Sequence, residues 1–340
     1  MKKIKRRKKN YKLTIICVIL DILAISGFVM MYGPWDKIRN FYVTTTMKTM
    51  NHQYLAHVFY SDEFINKILN SNYFIPITEA VSLDDIIIDT SPKKKYDNEY
   101  DEAVLTRDGD NEDYKLIELK IGASKAHLVA IYDPTKISLL RAPKFNRGGY
   151  GEKLIKMCNR YNAIVCINGG GFEDPTGIGS DRPVGYIIEN GEVIWSTNKK
   201  GNIIGFSDEG KLLLMADSTG EEAIEAGIVS GLEFGPFLIV NGKPLEMHGD
   251  PFGIAPRMAI GQRKDGVVLF LAIDGENYIN GATLQDVVDV MVKYGAYNAA
   301  NLDGGHSSQL VINGALANNP PALAKKQGGR AIVTAFGLLK

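Results

Sequence analysis

Polar side chains beside glycine-rich turns are the residues of this sequence best suited to chemistry. Two such segments directly follow apolar runs of the strand type, Asn168-Gly169-Gly170-Gly171-Phe172 and Asp303-Gly304-Gly305-His306-Ser307-Ser308. Glycine tolerates a positive φ and lets a ligand approach the main chain closely. Neither segment is a dinucleotide fingerprint or a P-loop, because the G-x-G-x-x-G spacing and the Gly-Lys-Ser/Thr step are both missing. A polar cleft and simple tight turns are the two interpretations that remain.

Four further turns contain glycine or proline, and three of them also carry Arg or Asp. They are Asp181-Arg182-Pro183-Val184-Gly185, Phe234-Gly235-Pro236-Phe237, Ala255-Pro256-Arg257-Met258-Ala259 and Ala272-Ile273-Asp274-Gly275. A single Arg or Asp in a turn is usually a surface group. Several turns of this kind could instead converge on one cleft, and we take that convergence as a hypothesis.

Short strands and a few helices must position these turns. Strand-type runs begin at Tyr114, and Asn190-Gly191, Asn241-Gly242 and Asp265-Gly266 are strong hairpin signals. Apolar periodicity predicts helices over residues 151–161 and 284–294. Because hairpins dominate, we expect a mixed α+β fold with largely antiparallel sheets and a few packed helices, preceded by one transmembrane helix.

The net charge of zero hides an uneven distribution. Of the 39 basic and 39 acidic side chains, eight basic ones lie in residues 1–12 and one acid, Asp21, lies in residues 13–32. Residues 33–340 therefore hold 31 basic and 38 acidic groups, a net charge of −7. A nucleic-acid partner is disfavoured, since the acidic body would repel a phosphate backbone.

The apolar run over residues 13–32 predicts a membrane span. Twenty helical residues cover about 30 Å, the thickness of a bilayer's hydrocarbon core. The basic tip predicts a cytoplasmic N-terminus, and hence a single-pass protein of the cell membrane whose C-terminal domain is extracellular. A signal peptide cut after Ala24-Ile25-Ser26 is the alternative. We favour the anchor, because the apolar run continues past that point.

The remaining organisation follows from composition. We expect a basic tip (1–12), the transmembrane helix (13–32), a helical stalk (33–74), a charged linker with a short strand near residues 85–89 (75–114) and a catalytic domain (115–340). Cys158 and Cys166 could form a disulfide or remain two buried thiols, and both readings stay open.

Five motifs, in order across residues 115–340, resemble the phosphodiester glycosidase family. They are INGGGF (167–172), FGPFLIVNGKP (234–244), APRMAIGQ (255–262), GATLQDVVDVMVKYGAYNAANLDGGHSS (281–308) and RAIVTAF (330–336). The sequence is most similar to the bacterial membrane-anchored branch of exopolysaccharide biosynthesis proteins. This resemblance implies hydrolysis of a sugar-1-phosphodiester at the anomeric carbon, with a cell-surface polysaccharide or glycopolymer as substrate.

The implied reaction suggests roles for the turn residues. Asp303 is the first candidate for a carboxylate that supports oxocarbenium charge or activates water, followed by Asp274, and His306 could act as acid or base. Arg257, then Arg182, is the candidate phosphate clamp, because guanidinium meets phosphate oxygens in bidentate fashion. The remaining candidate substrate-binding residues are Asn168, Gly169, Gly170, Gly235, Gly304, Gly305, Ser307 and Ser308.

Two departures from the family pattern lie where a substrate would be touched. His306 follows Asp-Gly-Gly where the family commonly has serine, and Arg182-Pro183-Val184-Gly185 replaces a Thr-Pro-x-Gly loop. His306 motivates one alternative, a non-catalytic carbohydrate-binding or assembly protein. A metal-dependent phosphodiesterase is the other. No cofactor is required by the sequence; a divalent cation such as calcium would be compatible with it, although no dense metal-ligand spacing is present.

Overall fold

The computed structural model describes residues 11–49, 52–93, 95–109, 112–174, 179–197, 199–275, 280–321 and 328–340. The chain divides into two compact units, Met1–Ser71 and Asn72–Lys340.

The first unit is helical. Its helices are α1 (Tyr11–Tyr32), α2 (Asp36–Met47), α3 (Tyr54–Phe59) and α4 (Asp62–Ser71). Helix α1 buries none of its side chains, and it is long and apolar enough to cross a membrane, a property that a signal sequence shares. Helices α2 to α4 pack around Val43, Ala56 and Ile65, so the predicted helical segment after the apolar run does form helices.

The second unit consists mainly of short strands. Its helices are α5 (Glu99–Leu105), α6 (Leu154–Tyr161), α7 (Gly220–Glu225) and α8 (Leu284–Lys293). Its strands are β1 (Tyr73–Ile75), β2 (Tyr114–Ile121), β3 (Ser124–Ile131), β4 (Ile137–Arg141), β5 (Glu152–Lys153), β6 (Ala163–Asn168), β7 (Ile187–Glu189), β8 (Glu192–Trp195), β9 (Gly201–Phe206), β10 (Leu212–Ser218), β11 (Ser230–Glu233), β12 (Phe237–Val240), β13 (Lys243–Pro244), β14 (Glu246–His248), β15 (Arg257–Arg263), β16 (Val268–Ile273), β17 (Ala296–Leu302), β18 (Leu310–Ile312), β19 (Ala315–Leu316), β20 (Ala331–Ile332) and β21 (Thr334–Leu339).

Three sheets surround one apolar core. Their strand orders are β13-β12-β17-β15-β16-β3-β2, β19-β18-β6-β21-β4 and β10-β9-β11-β7-β8, and the described residues also form two two-stranded pairs, β1-β14 and β20-β5. Val129, Ile167 and Phe206, one from each large sheet, are buried together in this core. Strand pairing within the described residues is antiparallel throughout, which confirms the predicted α+β class.

Each large sheet carries a helix on its outer face. Helix α8 covers the seven-stranded sheet, α6 covers the sheet that contains β6, and α7 covers the remaining one. Helices α7 and α8 both begin with a capping box, Thr219 with Glu222 and Thr283 with Asp286, which satisfies the first amides of each helix. The helices leave the strand ends uncovered, and it is there that the polar turns lie.

The hairpin predictions are confirmed and two local predictions are corrected. Asn190-Gly191 joins β7 to β8 and Asn241-Gly242 joins β12 to β13, with φ positive at all four residues. The helix expected over residues 151–161 begins only at Leu154, because Glu152 and Lys153 pair with β20 instead. The strand expected near residues 85–89 is not formed: residues 86–89 have no regular secondary structure, and a 3-10 turn at Leu83–Asp85 precedes them.

The segment predicted as a charged linker is partly packed. Its apolar residues Ile86 and Val104 are buried, and Val104 on α5 accepts a hydrogen bond from the hydroxyl of Tyr132. The segment therefore covers the second unit wherever apolar residues interrupt its charges. Cys158 of α6 and Cys166 of β6 form a disulfide, which answers the question that the sequence left open.

Candidate functional site

Asp303 follows β17 and is fixed by the end of β6. The Asn168 side-chain amide donates to the Asp303 carbonyl oxygen at 2.6 Å, and its oxygen accepts from the Gln309 amide at 2.8 Å. The Asp303 amide donates to the Gly169 carbonyl oxygen at 2.9 Å. Two sheets are therefore joined at this point by a buried Asn side chain, and the Asp303 carboxylate projects from the junction.

The Asp303 carboxyl has an altered acidity. It keeps some solvent access, yet burial raises its pKa to about 6. The Ser307 hydroxyl, the charge of Arg330 and the Gly304 amide lower the pKa of this carboxyl, and the charge of Asp174 raises it. A carboxylate of this acidity is ionised at neutral pH and is a stronger base than an ordinary aspartate.

Arg330 supplies a positive charge next to Asp303. Its guanidinium forms an ion pair with Asp174, and it lies over the Phe172 ring with its central carbon 4.9 Å from the ring centroid. Asp174 also accepts the Gly179 amide at 2.7 Å. The Arg330 Nε atom is buried and has no hydrogen-bond partner among the described residues. The guanidinium is thus held in place with one donor unused.

Residues 169–171 run between Asp303 and a first pocket. The Gly169 amide donates to the Thr334 carbonyl oxygen and the Gly170 amide to the Thr334 hydroxyl, both at 2.9 Å. A Cβ atom at Gly169 would lie 2.6 Å from a Leu232 methyl group, so only glycine fits between the two sheets. Gly171 lies at the wall of the pocket.

This first pocket, called here the acidic pocket, has a volume of about 360 Å³. Its lining residues are Gly171, Val184, Gly201, Asn202, Asp217, Glu233, Phe234 and Gly235. The Glu233 carboxylate accepts the Tyr186 amide at 3.2 Å. Gly201 and Gly185 make room for this carboxylate, since a Cβ atom at either glycine would collide with it. Carboxylates, an amide and an aromatic ring are the groups that bind a sugar's hydroxyls and its apolar face.

A second pocket, called here the basic cavity, has Arg330 in its lining. Its volume is about 630 Å³, and its lining residues are Ala142, Pro143, Lys144, Arg147, Gly148, Gly149, Tyr150, Gly151, Glu152, Lys153, Lys156, Asp181, Arg330 and Ala331. Five of these side chains are cationic and two are acidic. The two pockets therefore have opposite electrostatic character, and Gly171 lines the first while Arg330 lines the second.

Asp274 lies at the same end of the seven-stranded sheet as Asp303. Asp274 follows β16 and Asp303 follows β17, and β15 pairs with both strands, so their main chains lie about 10 Å apart. Asp274 Oδ1 accepts the Asn319 amide at 2.9 Å, and Oδ2 lies 3.7 Å from His127 Nε2. Both side chains are buried, and neither His127 ring nitrogen has a hydrogen-bond partner in the part of the chain that the structure describes.

Neither predicted phosphate clamp, Arg257 or Arg182, is among the charges that shift the pKa of Asp303. Arg257 is buried, and its guanidinium donates to the carbonyl oxygens of Phe252, Gly253 and Ala282. Burial lowers the pKa of Arg257 to about 10, and the nearest opposing charge is Asp250. Arg182 is exposed and pairs with Glu173 at 3.0 Å. A phosphate-binding role for either arginine stays a prediction.

The other predicted residues lie around Asp303 or in the acidic pocket. Gly304 packs against Pro256, where a Cβ atom would lie 2.6 Å from the carbonyl oxygen, and the Gly305 amide donates to that oxygen at 3.0 Å. His306 and Ser307 belong to the 3-10 turn Gly305–Ser307. Ser308 is fully buried and its hydroxyl has no partner among the described residues. Gly235 lines the acidic pocket.

Sequence reasoning missed Arg330, Asp174, His127 and Glu233. Arg330 opens the last family-like motif, which was a usable signal. Glu233 directly precedes the turn Phe234-Gly235-Pro236-Phe237, which was also a usable signal, whereas no local feature marks Asp174 or His127. Within the described residues, no group of three or more His, Cys, Asp or Glu side chains is arranged to hold a metal ion.

The fold and this site indicate the family to which the protein belongs. The family model for phosphodiester glycosidases matches residues 161–339, more than half of the chain, and this protein belongs to that family. The matched residues include Asn168, Asp303 and Arg330.

The sequence similarity to individual relatives is low or confined to part of the chain. The chain is 28% identical over 180 residues to the SPbeta prophage-derived uncharacterized protein YomE of Bacillus subtilis (strain 168), covering 49% of this chain and 27% of that protein. It is 37% identical over 67 residues to the N-acetylglucosamine-1-phosphodiester alpha-N-acetylglucosaminidase of Bos taurus, covering 20% of this chain and 13% of that one. The chain thus spans about a quarter or less of the length of these relatives.

Two solved structures share the fold. The zebrafish N-acetylglucosamine-1-phosphodiester alpha-N-acetylglucosaminidase catalytic domain, auto-inhibited by its pro-peptide, superposes with a TM-score of 0.56 at 22% identity, covering 67% of this chain and 82% of that chain. A hypothetical protein from Synechocystis superposes with a TM-score of 0.51 at 16% identity, covering 66% of this chain and 61% of that chain.

Proposed function

We propose that the protein hydrolyses the bond between the anomeric carbon of a sugar and a phosphodiester oxygen. The observation that carries this proposal is the Asp303 carboxylate, with its raised pKa, close to the half-buried guanidinium of Arg330. Membership of the phosphodiester glycosidase family supports it. So does the B. taurus relative, whose name assigns it this type of bond.

Arg330 and Asp303 have separate roles in the proposed reaction. The C1–O bond breaks with its electron pair going to the phosphate oxygen, and the guanidinium of Arg330 stabilises the charge that develops there. Water adds its oxygen to C1, and Asp303 accepts the proton that the water loses. The products are a free sugar and a phosphomonoester. A phosphomonoester is already a fair leaving group, so a cation can substitute for a strong general acid.

The acidic pocket is our candidate for the sugar subsite. Its carboxylates would repel a phosphate, and they can accept hydrogen bonds from sugar hydroxyls, while Phe234 offers an apolar face. The sugar would then lie on one side of Asp303 and the phosphate would face Arg330. Asp274, with His127, is our second candidate for a carboxylate that acts in the reaction.

We further propose that α1 anchors the protein in the cell membrane, with the second unit outside the cell. The basic tip at residues 1–12 and the apolar, fully exposed α1 support this orientation. The substrate would then be a phosphodiester-linked sugar of a cell-surface glycopolymer. A cleaved signal peptide would also export the domain, and mass spectrometry of the mature N-terminus distinguishes the two cases.

Hydrolysis in ¹⁸O-labelled water tests the reaction itself. The full chain in detergent is incubated with α-sugar-1-phosphate methyl diesters of several sugars, and both products are analysed by mass spectrometry. We expect the label in the sugar, since C–O cleavage adds water at C1. Label in the phosphate would instead indicate a phosphodiesterase. Tight glycan binding without turnover, unchanged in Asp303→Asn, would indicate a carbohydrate-binding protein.

A further inference from the structure

The basic cavity concentrates positive charge in a domain that is otherwise acidic. Residues 33–340 carry a net charge of −7, yet five of the cavity's lining side chains are cationic. We propose that this cavity binds a second phosphate on the leaving-group side of the substrate, so that the preferred substrate is a chain of phosphate-linked units. This inference rests on the proposed function and specifies the substrate class of the same site.

The cavity's positive charges are mostly uncompensated. Lys144, Arg147 and Lys156 form no ion pair with any described residue of the chain. Of the two acids, Glu152 is already paired with Arg160 at 2.6 Å. Asp181 accepts the Arg147 main-chain amide at 2.6 Å. The five cationic and two acidic lining side chains leave the cavity with a net charge of +3, which favours an anion.

The like charges are also held close together. Lys153 and Lys156 lie at the start of α6, and burial together with the charge of Lys156 lowers the pKa of Lys153. Placing ammonium groups near each other costs free energy in the absence of an anion, and a bound phosphate would remove that cost. The disulfide between Cys158 and Cys166 fixes the helix that carries both lysines.

One residue, Arg330, belongs to the lining of the cavity and also acts on the carboxyl of Asp303. Its charge lowers the pKa of that carboxyl. A phosphate at Arg330 would thus lie at the cavity's entrance, and the rest of the leaving group would extend inward. The volume of about 630 Å³ is within the range of small-molecule binding sites.

A pair of substrates tests the proposal. Both carry the same sugar 1-phosphate, esterified either to methanol or to glycerol that bears a terminal phosphate. The variant is Lys144→Gln/Lys156→Gln, and the control is Lys120→Gln, an exposed lysine on β2 that forms no ion pair with described residues. Kinetics use the full chain in detergent at low ionic strength.

We expect the double variant to lower kcat/KM at least tenfold for the two-phosphate substrate and less than twofold for the methyl diester. The control should change neither value. An equal loss for both substrates would overturn the proposal, because the cavity would then hold the scissile phosphate. No loss for either would overturn it as well.

A binding measurement separates this proposal from the proposed function. Calorimetry with glycerol 1,3-bisphosphate measures occupancy of the cavity without turnover. We expect binding to the wild-type chain that weakens at least tenfold in the double variant and is unchanged in the control. Binding of this kind with no hydrolysis of either substrate would refute the proposed function alone. Hydrolysis of both substrates with equal efficiency, and no bisphosphate binding, would refute the cavity proposal alone.

Discussion

The side-chain amide of Asn168 donates to the main-chain carbonyl oxygen of Asp303 at 2.6 Å, and this contact joins two sheets at the candidate site. The same side chain accepts the Gln309 amide, so one buried residue holds both ends of the segment 303–309. The position of the Asp303 carboxylate therefore depends on a residue that need not touch substrate.

Asn168→Ala should lower both stability and activity. It leaves the Gln309 amide and the Asp303 carbonyl without partners, and each unsatisfied buried group costs about 1–3 kcal/mol. We expect a loss of about 2–5 kcal/mol in the free energy of unfolding, measured by urea denaturation. Asn159→Ala, an exposed asparagine on α6, is the control and should cost less than about 0.5 kcal/mol. Equal losses in both variants would contradict the bridging role.

Asp303 should impose an acidic limb on the pH profile. Since its pKa is about 6, kcat/KM should fall below that pH as the base becomes protonated. Asp303→Asn should lose most of the activity and the limb with it. A profile that instead falls above pH 6 would assign Asp303 as a general acid.

The same substitution should stabilise the protein at neutral pH. The pKa of Asp303 is raised in the folded state, so its contribution to stability is present below about pH 4 and is lost as pH rises through 6. A difference of about two pKa units corresponds to about 3 kcal/mol at most. We expect the free energy of unfolding of Asp303→Asn, minus that of the wild type, to be larger at pH 7.5 than at pH 4. Urea denaturation measures both differences. A relative stability that does not change with pH would contradict the raised pKa.

Arg330 should have separable effects on stability and catalysis. Arg330→Gln leaves Asp174 buried and unpaired, at a cost of about 3–5 kcal/mol. The double variant Arg330→Gln/Asp174→Asn should recover most of that stability, because both charges are then absent. Activity should stay at least about 100-fold below wild type in both variants. Recovery of activity in the double variant would show that Arg330 acts only by neutralising Asp174.

Asp174→Asn alone should shift the acidic limb. The charge of Asp174 raises the pKa of Asp303 and that of Arg330 lowers it, so removing Asp174 should move the limb to lower pH. The pH dependence of kcat/KM measures this shift. A limb that moves to higher pH would contradict the electrostatic arrangement described for the site.

Two variants, both expected to raise KM, test whether the acidic pocket binds the sugar. Glu233→Gln removes the charge, and Gly201→Ala displaces the carboxylate because its Cβ atom would collide with Glu233. Both should raise KM about tenfold or more if Glu233 binds a sugar hydroxyl, since such a hydrogen bond contributes about 1.5–3 kcal/mol. Glu192→Gln, an exposed glutamate on β8, is the control. An unchanged KM in both variants would remove Glu233 from the sugar subsite.

The sequence predicted most strands and two candidate site residues that the structure brings into contact. Asn168 and Asp303 each directly follow an apolar run and precede glycines, a local pattern that marks a strand end, and the structure brings the two residues into contact. Arg330 could not be paired with Asp174 in this way, because 156 residues separate them and only the tertiary fold brings them together.

Arg257 shows a second limit of local pattern. The sequence located the turn that contains Arg257 but not the direction of its side chain. Alternation along β15 places this side chain on the same face as Ala259, toward α8. Lys144 and Lys156 show a third limit. Isolated lysines in a loop and on a helix look like surface charges until the fold places them around one cavity.

The order in which the chain is made has a consequence for the site. Strand β21 lies between β4 and β6, yet it is synthesised after every other strand of that sheet. Until it arrives, β4 and β6 present unpaired edges, and Thr334 cannot hold the glycines that follow Asn168. Until β21 is inserted, the nascent protein is inactive and its open strand edges are prone to wrong pairing. Completion of this one sheet is therefore the step that forms the site.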